Sequence, residues 1–317
     1  MKFQKIVTLS LNPTLDISMW LSDFQLGREN PVQNCQYQAA GKAVNLSRTF
    51  SHCGVDTTAI IAAGRKNAMK FLECLPQDHI RRRVVYYEGA IRENISLVIP
   101  GQPLTRLMDT GSPVPQGALE KIMEMLRQEV TPDTLLMLSG KLPKDMPGEE
   151  FVRICQQGRE WGATLALDTS SLTLQEVCQI RPWLFKPNLQ EFCALTGCPC
   201  QEQVEWRSLL AAVEKLAPAH VEHLLLSLGE QGLYYQGQGK RLWVQVPEVQ
   251  VRSAVGAGDN LLAGFVLGMR QGMDLEQTLR LAAAFGTAAC LVDGTNPPNL
   301  QEVQDLLPQI QLCGISL

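Results

Sequence analysis

The chain has 317 residues, 45% of them hydrophobic, with a formal net charge of −4. That is enough apolar material for a large core, as one big α/β domain or two smaller ones. Basic residues are scattered apart from Arg81, Arg82 and Arg83, so neither a nucleic-acid nor a membrane footprint is expected, and an anionic small ligand would need locally gathered cations.

The first apolar run is short, alternates with polar residues and stops at Asn12-Pro13, unlike the apolar region of a signal peptide. No uninterrupted apolar stretch approaches the ~18 residues of a membrane helix, and a cytoplasmic location is expected. Ten cysteines in a chain of this length without an export signal read as reduced thiols. Their one cluster, Cys193, Cys198 and Cys200, has no second CxxC-like pair and no nearby histidine, so ordinary thiols are expected there rather than zinc.

In chain order, 5–11 reads as a first strand, 41–54 as a helix ended by Gly54, and 57–63 as the next strand. Later strands fall at 134–140, 163–168, 183–188 and 223–229. Helices are centred on 116–128, 147–161, 188–196 and 203–216. This alternation is that of a mainly parallel sheet covered by helices. Two regions break it, 15–39 and 82–99, which read as strands without intervening helices. They predict a small antiparallel sheet outside the main layer, a lid over the carboxyl ends of the parallel strands, where ligands bind in open α/β sheets. Plain hairpin insertions are the simpler alternative. After 256 the pattern is helical almost to the end, and no linker or repeat divides the chain, so a single domain over 1–317 with an added lid is expected.

The stretch SAVGAGDN, 253–260, sets an aspartate at the start of the apolar helix LLAGFVLGM. At Gly256, Ala257 and Gly258 the small side chains let backbone N–H groups converge beside the positive end of the helix dipole, an anion hole suited to phosphate. Asp259 beside it is suited to take a proton from an attacking hydroxyl while the amides hold the charge on a transferring phosphoryl group. Taken alone, the same residues also describe a capped turn. A dinucleotide fingerprint fails because its third glycine position is Leu261, and a Walker A loop fails at Gln36 and Ala43.

Nine segments in order now carry a resemblance: TLSLNPTLD (8–16), AAGKAVNLSR (39–48), IRENISLVI (91–99), LSGKLP (138–143), LDTSS (167–171), FKPNLQEF (185–192), SLGEQGLYY (227–235), SAVGAGDNLLAGF (253–265) and DGT (293–295). The sequence resembles the ribokinase-like sugar kinases of the phosphofructokinase-B family, in the branch of 1-phosphofructokinases and tagatose-6-phosphate kinases. The resemblance implies a three-layer α/β/α fold with a mainly parallel sheet and a small β-sheet lid, ATP and Mg²⁺ as cofactors, potassium as a further candidate, and a homodimer through the lid. It makes Asp259 the catalytic base and Gly256, Ala257 and Gly258 the anion hole. Asp16, Gly41, Lys42, Asn45, Arg92, Asn94 and Ser139 become substrate contacts, with Arg92 and Asn94 reaching the substrate's own phosphate. Ser227, Gly229, Gly232, Gly258 and Thr287 fall to the nucleotide together with Asn188, and Asn188 and Glu191 lie near the metal through water. The last two also fit a helix-capping pair.

The family's usual GGKG is here Ala40-Gly41-Lys42-Ala43, the serine after the catalytic aspartate is Asn260, and a glycine pair is replaced in AAGR (62–65). Narrower access to the sugar is expected from the added methyls. Asn30-Pro31 stands where Asn-Arg is usual, so one phosphate-binding arginine is missing, with Arg28 as the nearby substitute. The implied activity is an ATP-dependent phosphorylation of a ketohexose phosphate, fructose 1-phosphate or tagatose 6-phosphate, on a hydroxymethyl oxygen. Its rivals are a kinase of an unphosphorylated sugar or nucleoside, and a catalytically weak sugar-binding regulatory protein on the same fold.

Overall fold

The computed structural model describes residues 3–201 and 204–315. Lys5–Ser10 (β1) starts the main sheet, and the chain then leaves it for Thr14–Trp20 (β2) and Asn34–Ala40 (β3) before Lys42–His52 (α1) returns it to Thr57–Gly64 (β4). A short helix, Ala68–Glu73 (α2), leads to Ile80–Tyr87 (β5), followed by Arg92–Val98 (β6) and Thr105–Met108 (β7). Gln116–Glu129 (α3), Thr134–Ser139 (β8), Gly148–Glu160 (α4), Thr164–Asp168 (β9), Leu174–Ile180 (α5), Leu184–Phe185 (β10), Leu189–Thr196 (α6), Trp206–Glu214 (α7) and His223–Ser227 (β11) continue the alternation. Leu233–Gly237 (β12), Lys240–Gln245 (β13), Ala257–Gln271 (α8), Leu275–Ala289 (α9), Leu300–Leu306 (α10) and Gln311–Gly314 (β14) complete it.

Among the described residues, ten strands form one sheet in the order β14-β13-β12-β11-β10-β9-β8-β1-β4-β5. The seven from β11 to β5 are parallel, and β12, β13 and β14 add an antiparallel edge. Strand alternation divides the core between the faces. Val7, Leu9, Leu136 and Leu138 pack under α3 and α4, whereas Ile6, Leu135 and Met137 pack against α1, α8 and α9. The chain goes to β4 on one side of β1 and to β8 on the other, and this switch point opens a crevice at the carboxyl ends of the strands.

Four strands stand apart in the order β3-β2-β6-β7. The expected small sheet exists, but its centre, β2 with β6, is parallel, so the sheet is mixed. The segment 82–87, read as part of it, instead lies in β5, paired parallel with β4 at the main sheet's edge. Both of its faces are partly exposed, which gives an edge strand the pattern of a hairpin arm; only its partner distinguishes the two. The helices expected after 256 are α8, α9 and α10, closed by a 3₁₀ turn over Leu307–Gln309, and β14 follows them, paired with β13. The helix expected from 203 is described from Trp206, and residue 203 lies outside the described residues. The strand expected over 183–188 shortens to two residues plus a bridge between Asn188 and Ser227, because Pro187 has no N–H for a ladder. Helices α2 and α5 were not legible; both are short, although Thr173 and Glu176 form a capping box at the start of α5.

Candidate active site

Helix α8 starts on Gly256 at φ 84°, a left-handed conformation that a side chain would strain. The first intrahelical bond runs from the Asn260 amide to the Gly256 carbonyl at 2.9 Å, while the Ala257 amide faces the Ala254 carbonyl at 3.4 Å. The amides of Gly258 and Asp259 have no carbonyl partner in the helix, as expected of a first turn, and the helix is 15 residues long, enough for a full dipole. A β-carbon on Gly258 would stand 3.1 Å from Lys186 Nζ. The hole thus has an ammonium beside it.

Asp259 is only 5% exposed, and its Oδ2 accepts from Asn45 Nδ2 at 2.7 Å. Burial, and then the negative charge of Asp168, push its carboxyl up to about 6 against the pull of Lys42. Asp168, at the end of β9, is fully buried between two cations: Lys42 Nζ is 2.8 Å from one oxygen and Lys186 Nζ 3.4 Å from the other. Burial works to raise Asp168, but Lys186 and Lys42 overcome it and hold the carboxyl below the usual range. Burial likewise works to discharge Lys42, and Asp168, Asp259 and Glu191 together keep it protonated well past its ordinary value.

Asn188 and Glu191 form the capping box of α6: Asn188 Oδ1 accepts from the Glu191 amide at 2.8 Å, and Glu191 Oε2 from the Asn188 amide at 2.9 Å. The other Glu191 oxygen accepts from Lys42 at 3.3 Å. Both residues still border the cavity. Among the described residues, no group of three His, Cys, Asp or Glu side chains is arranged to hold a metal. Glu191 is thus a single carboxylate at this edge of the cavity, compatible with a hard cation that keeps most of its own water but not with a protein cage.

Across the crevice, the register of β2 with β6 sets Asp16 opposite Asn94, whose Nδ2 donates to Asp16 Oδ1 at 3.0 Å. Burial raises the Asp16 carboxyl, with Asn94, Arg106 and Arg92 opposing. Four buried polar atoms on this lining have no hydrogen-bond partner among the described residues: Thr14 Oγ1, Asn45 Oδ1, Arg92 Nε and Asn94 Oδ1. Unpaired groups of this kind are costly unless a ligand meets them, and their mix of donors and acceptors suits a polyhydroxylated, charged molecule.

One cavity of about 1410 Å³ joins these parts. Of the residues expected from the sequence, Asp16, Gly41, Lys42, Asn45, Arg92, Asn94, Asn188, Glu191, Ser227, Gly229, Gly232, Gly256, Ala257, Gly258, Asp259 and Thr287 all line it. Ser139 does not. Its hydroxyl faces the Asp168 carbonyl at 3.4 Å. Gly232 lines the cavity but also serves packing, since a β-carbon there would stand 2.1 Å from the Val244 carbonyl oxygen.

Two expected departures are corrected. Ala40 and Ala43 are buried at 1% exposure and lie outside the lining, so their methyls fill core rather than narrow the cavity. Arg28 is exposed and also outside it, and the second arginine at the cavity is Arg106, on the unforeseen strand β7. Asn260 is built into the scaffold: its Oδ1 accepts from Thr49 Oγ1 at 2.7 Å and its Nδ2 donates to the Gly256 carbonyl at 2.9 Å. Lys186 and Asp168, in FKPN and LDTSS, are functional candidates that the sequence expectation does not include. A lysine or aspartate ending a strand beside the switch point is the signal that could have found them. The DGT segment acquires a role through buried Arg48, which donates to the Thr295 and Ala39 carbonyls and to Asn296 Oδ1, tying the root of the small sheet to the 293–296 turn.

The sequence profile of the pfkB family carbohydrate kinases matches residues 10–302. Among curated relatives, the 1-phosphofructokinase of Vibrio cholerae is 28% identical over 312 residues, 98% of each chain. The tagatose-6-phosphate kinase of Staphylococcus epidermidis is also 28% identical, over 98% of this chain and 100% of that one. Among solved structures, phosphofructokinase-2 of Escherichia coli in complex with potassium superposes with a TM-score of 0.87 at 22% identity, over 96% of this chain and 98% of that one.

Proposed function

The chain belongs to the pfkB family of carbohydrate kinases, and from that premise we propose that it transfers the γ-phosphoryl group of ATP to a hydroxymethyl oxygen of a ketohexose phosphate. Fructose 1-phosphate and tagatose 6-phosphate are the substrates to try first, given the relatives' activities. The observation that carries this reading is the buried Asp259 at the start of α8, in one cavity with an arginine pair and a set of unpaired polar atoms.

Asp259 accepts the proton of the attacking hydroxyl, and an acid raised to about 6 is ionised at neutral pH yet basic enough to do so. Asn45 aims that carboxylate by its hydrogen bond. The Gly258 and Asp259 amides, with Lys186 and Lys42 nearby, supply fixed positive potential for the phosphoryl oxygens. Magnesium, when bound with the nucleotide, supplies charge neutralisation; Asn188 and Glu191 are the residues that would hold it through water. Potassium is a further ion to test, because the Escherichia coli relative carries it.

Asp16 and Asn94 take sugar hydroxyls, while Arg92 and Arg106 take the substrate's own phosphate. The arginine pair favours a phosphorylated substrate over a free sugar or nucleoside. The packed positions of Ala40, Ala43 and Asn260 speak against a disabled regulatory relic. Ser227, Gly229, Gly232 and Thr287 border the end assigned to the nucleotide, where Leu261, Ala283 and Val249 offer apolar walls for a purine. The small sheet acts as the lid, its root held by Arg48, and Leu104 and Leu107, each 54% exposed, are the apolar side chains offered for pairing with a second copy. No helix of the described residues is long and apolar enough to cross a membrane.

An ADP-release assay across hexoses, hexose phosphates and nucleosides tests the whole reading. Turnover should be fastest with a ketohexose phosphate. Ligand-induced thermal shifts without ADP from any acceptor would reject it.

A further inference from the structure

Three thiols that the cavity does not use meet at the far end of α6. Cys193, inside the helix, is 5% exposed. The chain turns at Gly197, in a left-handed conformation, and brings Cys198 Sγ back to 3.2 Å from Cys193 Sγ. The Cys193 thiol faces the Pro199 carbonyl at 3.6 Å, Cys198 is partly accessible, and Cys200 is exposed. A further approach of about 1 Å would bring the first two sulfurs to bonding distance.

This corner is joined to the cavity by two routes. The first turn of α6 carries Asn188 and Glu191 on the cavity lining. Beyond the thiols, the Val204 amide donates to Gln231 Oε1 at 3.2 Å. Gln231 belongs to the 229–232 turn that borders the same cavity.

We infer that Cys193 and Cys198 form a reversible disulfide site, closed by a peroxide and opened by a small thiol, whose closure alters the nucleotide end of the cavity. Cys198, the more accessible of the two, attacks one peroxide oxygen; the O–O bond breaks, the sulfur becomes a sulfenic acid and one water leaves. Cys193 sulfur then displaces the sulfenic hydroxyl, and its own proton departs with that group as a second water. Two thiols are oxidised by two electrons, and one peroxide is reduced to two waters. A disulfide here pulls Cys198 and Pro199 against α6, whose first turn borders the cavity.

The site itself is independent of the kinase reading; only its effect on nucleotide rests on that reading. The full-length protein is treated with hydrogen peroxide, free thiols are alkylated, and the linkage is mapped by mass spectrometry, with ATP affinity measured before and after. One disulfide between Cys193 and Cys198 is expected, reversed by dithiothreitol, absent from Cys198→Ser and Cys193→Ser, and retained in Cys200→Ser. The ATP Kd should shift by about fivefold or more, within the range of ordinary inter-site coupling. If both thiols remain alkylatable, or the bond maps to Cys200, the site is wrong; a disulfide with an unchanged Kd removes the coupling. Failure of the reduced protein to phosphorylate any sugar phosphate would defeat the kinase reading and leave the mapping result standing.

Discussion

The two walls of the cavity are built in opposite ways. On the main-sheet side, Asp259, Asp168, Lys42 and Lys186 are bound to one another or to Asn45 without any ligand. On the small-sheet side lie three of the four unpaired atoms of the lining, Arg92 Nε, Asn94 Oδ1 and Thr14 Oγ1, buried with no hydrogen-bond partner among the described residues, the fourth being Asn45 Oδ1. One wall is organised before the substrate arrives, as stabilising a transition state demands. On the proposed reading the other is completed by the substrate, as discrimination demands, because a molecule lacking the matching group leaves those atoms unpaired. Charge chemistry and recognition are thereby divided between two sheets.

The strongest way to break this contrast is Asp259→Asn. Loss of kcat by about 10² to 10⁴ is expected, the contribution usual for a general base, with substrate KM nearly unchanged. Steady-state kinetics with near-normal kcat would end the role of the preformed wall. A pH profile sharpens the same point: the base must be ionised, so kcat/KM should be level near neutrality and fall about tenfold per pH unit below about 6.

Next in size is the buried charge cluster. Asp168→Ala leaves two lysines facing each other, and breaking such a buried pair costs about 3–5 kcal/mol, readable by urea denaturation. Linkage separates the two aspartates. Asp168 is depressed, so its contribution is present above its unfolded value of 3.8 and is lost as pH falls through its lower folded value. Asp259 is raised, so its protonated form favours the fold and that contribution is lost as pH rises from 3.8 to about 6.

The open wall should respond in binding rather than turnover. Arg92→Ala and Arg106→Ala each remove a charge-assisted contact worth about 1.5–3 kcal/mol, so KM for the phosphorylated substrate should rise by about 10- to 100-fold. An unphosphorylated analogue should be indifferent, and equal losses for both substrates would erase the distinction between the walls. The smallest effect expected is that of Asn260→Ser. It shortens the bridge from Thr49 to the Gly256 carbonyl at a cost of about 1 kcal/mol, seen as a lower melting temperature with kcat reduced only a few-fold.

Much of the preformed wall was legible in the chain because its parts are local. Gly256 to Asp259 form one helix start, and Asn188 to Glu191 one capping box. The open wall was legible only in fragments. Arg106 escaped because β7 is four residues long and partly exposed, too short for a periodic pattern to emerge, and Arg28 was preferred for its sequence proximity alone. Residues 82–87 were misplaced for a related reason: a strand's own pattern gives its faces, not its neighbour.

By itself, the sequence determined the alternation of strands and helices, the glycine-rich helix start with Asp259, and the family, because each rests on short-range spacing or ordered motifs. Only the tertiary structure decided that Lys42 and Lys186 share Asp168, that Arg106 lines the cavity, that Ala40 and Ala43 lie outside it, and that two thiols five residues apart touch. Those are facts about distance in space, set by how sheet and helices pack, and burial then turns such distances into large electrostatic consequences.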